Sequence, residues 1–389
     1  MKRNGVGVGG GVGGGNGERP RVLYLMSSLE MGGAERLTLN LFAYHAAQRE
    51  PDIELYYLVM NDRTDPTLRE ALIGCGAQGE FWDRKQGSRK PSYYFALRAF
   101  MRERRINIIH AHTTGGKYWG MAMKMADRKL RLVYTVHSTF DVTRYTGAQR
   151  FFHRKMVDCN VAVSAACEAQ CRAAGLGKTA MIYNGIPVGD YLVRGAVREA
   201  EAIPRLVTVS RIVPAVKGQD LTLEALALCR GRGFSFRIVF AGDISGPYEA
   251  AYQGLKQRAR ELALPDELIE FAGKRNVAAD FLARFDGYIC SSRKEGLGIS
   301  NIEAMAAGLP VIACDSEGPA EIIKDGETGY LFRTGDASSL ADTIMKVFAP
   351  SGSFRDRRRV AENARRAAAG FDVAHMYRSY RAMYEKALV

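Results

Sequence analysis

The chain has 389 residues, 47% of them hydrophobic and 25% charged, the balance of a water-soluble globular chain long enough for two cores. No apolar run approaches the roughly 18 residues a spanning helix needs. The net charge of +13 is uneven: residues 1–190 carry 27 basic against 17 acidic side chains, and the remainder 28 against 25. A basic half suits nucleic acid, an anionic membrane or a phosphorylated substrate. No zinc-finger, RNA-recognition or helix-turn-helix pattern supports nucleic acid. Seven scattered cysteines with no C-x-x-C point to buried thiols in a reducing compartment, the cytoplasm, rather than to disulfides or zinc.

Residues 1–19 read as a disordered glycine-rich tail without the apolar stretch of a signal peptide. Its Gly5-x-Gly7-x-x-Gly10 fits the dinucleotide fingerprint, but no strand precedes it, so the match carries no weight. Residues 20–190 then alternate strand and helix. Strand Arg21–Met26 is followed by helix Glu35–His45, strand Ile53–Val59, a helix near Pro66–Ile73 and the basic helix Ser92–Arg104. Strands Asn107–Ala111 and Leu132–His137 flank a helix around Tyr118–Met125, and strands Asn160–Val163 and Ala180–Tyr183 follow. Asn184-Gly185-Ile186-Pro187 breaks the pattern, and residues 191–204 read as a linker. The alternation restarts over 205–370, with strands at Leu206–Val209, Phe236–Ala241, Ile269–Phe271, Gly287–Cys290 and Val311–Ala313. This rhythm predicts two doubly wound α/β domains with parallel sheets, whose ligands sit at strand C-terminal ends across a shared cleft.

The motifs fall at those strand ends. Met31-Gly32-Gly33-Ala34-Glu35 follows the first strand, where glycines allow close backbone approach to a ligand. His110-Ala111-His112 ends another strand, and residues two apart share one face. His137 ends the next. Two histidines raise the question of a metal, but no third ligand is sensibly spaced with them. Ser210-Arg211 and Lys217-Gly218 follow the first strand of the second half, with Arg suited to bidentate and Lys to point-charge contact with a diphosphate. Lys294 to Ala313 carries the most information: Glu295 and Glu303 stand eight apart, with Gly296 and Gly298 after the first. A tight loop entering a helix can receive an anion on its free N–H groups, while the glutamates suit hydroxyls. Ser300-x-x-Glu303 also reads as a capping box.

This arrangement resembles the E-x7-E signature of the retaining family 4 glycosyltransferases, and the likeness extends over about residues 20–388. The resemblance implies a GT-B fold: two Rossmann-like domains facing a cleft, with residues 371–389 a helix crossing back to the first. It implies a hexose-type sugar moved from an NDP-sugar to a glycan or lipid-linked acceptor, with retention and without metal or cofactor; no D-x-D is present. His112, Arg211, Lys217 and Glu295 would serve catalysis. Gly32, Gly33, Lys274, Arg275, Gly296, Leu297, Gly298, Ile299 and Glu303 would hold the donor, and His137 would line the acceptor side. Pro214-Ala215-Val216 departs from the common loop before Lys217. Alternatives within the fold are a nucleotide-sugar epimerase, a phosphorylase, which should carry a pyridoxal-binding lysine region not found here, and a non-catalytic scaffold, which would have lost Arg211, Lys217 or the glutamates. The run 84–105, rich in Arg and Lys with Tyr93, Tyr94, Phe95 and Phe100 interleaved, suits peripheral docking on the inner face of an anionic membrane.

Overall fold

The computed structural model describes residues 18–30, 32–49, 51–88, 90–192, 203–275 and 278–389, with backbone alone for Phe140 and Asp141. The expected glycine tail, but for Glu18 and Arg19, and most of the expected linker lie outside the described residues. In the first half the order is β1 (Arg21–Met26), α1 (Gly33–Ala46), β2 (Glu54–Asn61), α2 (Pro66–Gly74), β3 (Gln78–Arg84), α3 (Ser92–Glu103), β4 (Ile108–Ala111), α4 (Thr114–Ala126), β5 (Arg131–Val136), α5 (Thr139–Thr143), α6 (Gly147–Met156), β6 (Cys159–Ala162), α7 (Ala165–Ala173) and β7 (Thr179–Met181). The second half runs β8 (Arg205–Val209), α8 (Pro214–Lys217), α9 (Gln219–Gly231), β9 (Arg237–Ala241), α10 (Glu249–Glu261), β10 (Ile269–Gly273), α11 (Ala279–Leu282), β11 (Gly287–Cys290), α12 (Ile299–Ala307), β12 (Val311–Cys314), α13 (Glu317–Ile322), β13 (Tyr330–Phe332), α14 (Ala337–Phe348), α15 (Phe354–Ala368) and α16 (Val373–Leu388).

Two parallel sheets result, ordered β3-β2-β1-β4-β5-β6-β7 and β10-β9-β8-β11-β12-β13. Parallel strands covered on both faces must be apolar along their length, and Val22 to Leu25, Ile108 to Ala111 and Val311 to Cys314 are all fully buried. In each sheet the strand order reverses once, between β1 and β4 and between β8 and β11, opening a crevice at the carboxyl ends. In the first half, α1 and α2 pack on one face of the sheet and α3, α4 and α7 on the other.

Helix α16 returns to the first half as expected. Met376, Tyr377, Tyr380, Met383 and Tyr384 join the core beneath α1. The two chain crossings lie side by side: Ile186 N–H donates to the Phe371 carbonyl at 2.9 Å, and Val373 N–H to the Ile186 carbonyl at 2.8 Å.

Three expectations are corrected. Edge strands β3 and β13 and helices α5 and α6 are additions to the expected elements; β3 is amphipathic and half-buried, so it lacks the apolar run of the central strands, and β13 is only three residues long. Tyr191, assigned to the linker, is 5% exposed and belongs to a 3-10 turn at Val188–Tyr191. In 84–105 most of the rings face inward: Phe100 is core, Tyr93 stacks on Trp82, and Arg84 is buried against Asn61. Phe95 stays exposed.

Candidate active site

Each half offers its strand ends to the other. From the second, β8 runs into Ser210-Arg211 and then a single turn, α8. The departure at Pro214 is therefore structural: proline sits at the first helical position, where its missing N–H costs nothing, and the turn delivers Lys217 to the crevice. Gln219, fully buried, donates to the Ser210 hydroxyl at 2.9 Å and to the Arg211 carbonyl at 2.8 Å, fixing that loop. Arg293 grips Asp220 with two bonds of 2.7 and 2.8 Å and so ties the loop after β11 to α9.

Lys217 Nζ donates to the Glu295 carboxylate at 2.6 Å, and the Ser292 hydroxyl donates to the same oxygen at 3.0 Å. The two side chains are only 17% and 16% exposed. Burial works against the Lys217 charge, but Glu295 outweighs it and holds the ammonium above the ordinary lysine range. Arg211 is exposed and near enough to act electrostatically on both Lys217 and Glu35 of the opposite half.

The loop Glu295–Gly298 crosses the cleft. A β-carbon on Gly296 would sit 2.3 Å from the His137 carbonyl oxygen, so only glycine fits that approach. Gly298 has φ 86°, a left-handed value, and starts α12 as its N-cap without a side-chain cap. The capping-box reading of Ser300 and Glu303 is thereby overturned. Ser300 accepts from the Tyr288 hydroxyl at 2.7 Å, and Glu303 accepts from the Tyr191 hydroxyl at 2.8 Å. With its carboxylate bonded to Tyr191 and not capping the helix, Glu303 is left for other work. It is 4% exposed; burial raises its pKa, against the pull of the Arg36 charge and the Tyr191 bond. Glu35 is likewise raised by burial, with Arg211 opposing.

From the first half, Gly33 meets Ile299 across the cleft, its β-carbon position 3.2 Å from the isoleucine Cδ1. His112 stacks on Tyr24 with ring centres 4.9 Å apart, and its Nδ1 lies 3.2 Å from His137 Nε2. His112 Nε2 is buried and has no hydrogen-bond partner among the described residues. His110, on the same face, is fully occupied by the Tyr384 hydroxyl at 2.6 Å and the Thr135 hydroxyl at 2.7 Å. The expected pair thus divides: His110 anchors α16, and His112 keeps Nε2 open in a small void lined by residues of the first half and α16.

The remaining expected residues stand nearby. Lys274 reaches over the cleft to pair with Asp65, the N-cap of α2, while Arg275 is exposed beside it. Leu297 is buried under the loop. Sequence reasoning missed Arg36, Tyr191 and Glu321. Glu321 accepts from the N–H groups of Ala165 and Ala166 at 2.8 and 2.9 Å, so a carboxylate of the second half caps α7 of the first. Nothing in the spacing of these three announces partners more than a hundred residues away.

Burial pushes His110 and His112 well below the ordinary histidine range and His137 and His153 to about 4. The imidazoles are neutral at pH 7, so His112 offers a hydrogen bond or an apolar face and no charge. The unfolded chain takes up protons near pH 6.5 while the folded one refuses them to lower pH. Stability should therefore fall as pH drops from 7 to 5, by up to about 1.4 kcal/mol per pH unit for each such histidine. Urea unfolding at stepped pH measures it, and His137→Asn should flatten the slope. Equal stability at pH 7 and 5 would mean that the folded imidazoles charge freely.

Residues 31–189 match the family described as Glycosyltransferase Family 4, and residues 194–367 that described as Glycosyl transferases group 1. EpsD of Bacillus subtilis (strain 168), named as a glycosyltransferase, is 30% identical over 273 residues, 62% of this chain and 67% of that protein. The chain belongs to the family 4, group 1 glycosyltransferases.

Other members extend the likeness. The lipopolysaccharide core biosynthesis mannosyltransferase LpsB of Rhizobium meliloti (strain 1021) is 28% identical over 272 residues, 66% of this chain and 72% of LpsB. The crystal structure of Anabaena HepE in complex with UDP and glucose superposes with a TM-score of 0.78 at 21% identity, covering 94% of this chain and 99% of that one, which shows a shared GT-B fold.

Proposed function

We propose that this glycosyltransferase moves a hexose-type sugar from a nucleoside diphosphate to a lipid-linked or envelope saccharide, with retention at the anomeric carbon and without a metal ion. One observation carries the reading: Lys217, Arg211, Glu295 and the start of α12 converge at the strand ends of the second sheet, facing Gly33 and His137 of the first. That is a set of cations and free N–H groups beside hydroxyl-seeking carboxylates. The UDP and glucose named with HepE support a nucleotide-sugar donor, and LpsB supports an envelope acceptor.

In this mechanism the diphosphate competes with Glu295 for Lys217. Lys217 swings to the phosphates alongside Arg211 and the α12 N–H groups, and the released Glu295 takes sugar hydroxyls. Gly32 and Gly33 let the first half's backbone approach the phosphates. Glu303 and the Tyr191 hydroxyl hold the ribose, and Lys274 and Arg275 flank the base. Neutral His112 presents Nε2 to the sugar without repelling developing positive charge at its anomeric carbon. The bond from that carbon to the phosphate oxygen breaks as the acceptor oxygen bonds on the same face, and the acceptor proton passes to the departing phosphate. His137 lines the acceptor side. Charge developing on the leaving group meets dipoles and cations already in place. Cytoplasmic work fits the seven cysteines, none in a disulfide.

A panel of UDP-, GDP- and ADP-sugars, read by thermal shift and by turnover with and without chelator, tests this. One donor should raise the melting temperature and be consumed, with chelator making no difference and NMR showing the donor's anomeric configuration in the product. No response to any nucleotide sugar would overturn the reading. Loss of turnover with chelator would overturn its metal-free part.

A further inference from the structure

The side of the first half that carries α3, α4 and α6 is built unlike an ordinary solvated surface. Helix α6, absent from the sequence-based expectations, buries His153 alone among its ten residues. Phe151 and Phe152 stand side by side on it, 50% and 61% exposed. Between them Arg150, Phe151, Phe152, Arg154 and Lys155 make a turn and a half of exposed cation and ring. No acidic residue occurs from 142 to 157, while Arg144, Arg150, Arg154 and Lys155 do. No ion pair within 4 Å engages Arg150, Arg154 or Lys155 among the described residues.

The neighbouring helices continue the pattern. α4 sits beside α6, with Gln149 bonded to the Tyr118 hydroxyl at 3.4 Å, and shows Tyr118 at 48% and Met125 at 71%. α3 lies beyond it, where Trp119 of α4 and Tyr93 of α3 both take the Arg84 guanidinium, and shows Phe95 at 63% with Arg98 and Arg102 exposed. The three helices share one buried cluster beneath, so their outer sides form one face. Single exposed apolar residues need no explanation, but two adjacent phenylalanines with three further large apolar side chains do, ringed as they are by Arg98, Arg102, Arg150, Arg154 and Lys155, none in an ion pair among the described residues.

We propose that this face docks the protein on an anionic lipid bilayer, with Phe151 and Phe152 entering the headgroup boundary and Arg150, Arg154 and Lys155 meeting lipid phosphates. Charge complementarity selects the occupant. Rings and long cationic side chains are the residues that sit where hydrocarbon meets charged headgroups. α6 follows directly on His137 and α5, so docking would set the acceptor side of the cleft at the lipid surface. The use of such docking rests on the lipid-linked-acceptor reading; the docking itself does not, because vesicle binding is read without any sugar transfer. The centre of the face moves from 84–105 to α6, with α3 its outer edge.

The test is co-sedimentation of the full chain with vesicles of equimolar phosphatidylcholine and phosphatidylglycerol, against phosphatidylcholine alone. The wild type should pellet with the anionic vesicles and stay in solution with the neutral ones, and binding should weaken at high salt. Phe151→Ser with Phe152→Ser should weaken partitioning by roughly tenfold or more. Arg150→Glu with Arg154→Glu should abolish it at physiological salt. Circular dichroism melts should match the wild type, since all four side chains are exposed. Arg98→Glu with Arg102→Glu should weaken binding less than the α6 variants. Three results would overturn the proposal: no wild-type binding to anionic vesicles at low salt, full binding by the double-serine variant, or a wild-type dimer that this variant splits while neither binds vesicles. The last would make the face an interface between copies.

Discussion

Lys217→Ala is expected to lower turnover by about 10²–10³ with donor saturating, corresponding to roughly 2–4 kcal/mol of transition-state stabilisation. Two losses combine. The departing diphosphate loses its nearest half-buried cation, and Glu295 is left with the Ser292 hydroxyl as its bonded side chain among the described residues. The fold should hold, because Lys217 lies at the end of a one-turn helix with no buried residue; a melting curve alongside the kinetics checks this. Arg211→Ala should cost a similar factor in rate with still less effect on stability, since its side chain is exposed. Lys217→Arg should recover only part, because a planar fork does not replace a compact ammonium beside a carboxylate. Turnover near wild type in both alanine variants would remove the diphosphate assignment.

The second large effect is a divergence between affinity and stability at Glu303. Glu303→Gln keeps an oxygen for the Tyr191 hydroxyl and removes a carboxylate whose burial is unfavourable. The unliganded protein should therefore melt at the same temperature or slightly higher. Binding of the nucleotide should weaken by roughly 10- to 100-fold, because a charge-assisted bond to a ribose hydroxyl is worth about 1.5–3 kcal/mol. Calorimetric titration with the free nucleoside diphosphate separates this from any effect on the sugar. Unchanged affinity would return Glu303 to a structural bond with Tyr191. A fall in melting temperature with unchanged affinity would say the same more strongly.

Much of the molecule is legible in the chain because parallel sheets write themselves plainly. Residues 22–26 of β1 and Val311–Cys314 are buried on both faces, so they appear as unbroken apolar runs between helices. The loop Glu295–Gly298 is legible for another reason. Gly296 must approach the His137 carbonyl and Gly298 must take a left-handed φ, so the backbone dictates glycine at both. Lys217 and Glu295 were placed from strand-end motifs, and the structure brings them to 2.6 Å. The sequence alone thus determined the fold class, the family and the strand ends from which the site is built.

Tertiary structure decided what depends on one half meeting the other. Local spacing allowed Ser300-x-x-Glu303 to be a capping box; Tyr191, 112 residues away, takes Glu303 out of that role. Spacing put His110 and His112 on one face, but Tyr384 and Thr135 decide that the first is an anchor, leaving the second with a buried, unpartnered Nε2 among the described residues. Glu321 capping α7 and Lys274 reaching Asp65 join residues no local pattern connects. The outward pair on α6 was hidden for the opposite reason, because two adjacent phenylalanines in a sequence read as core until the packing leaves them outside. Periodicity records which side of an element is apolar; which side finds a partner, and across what distance along the chain, is settled only when the elements pack.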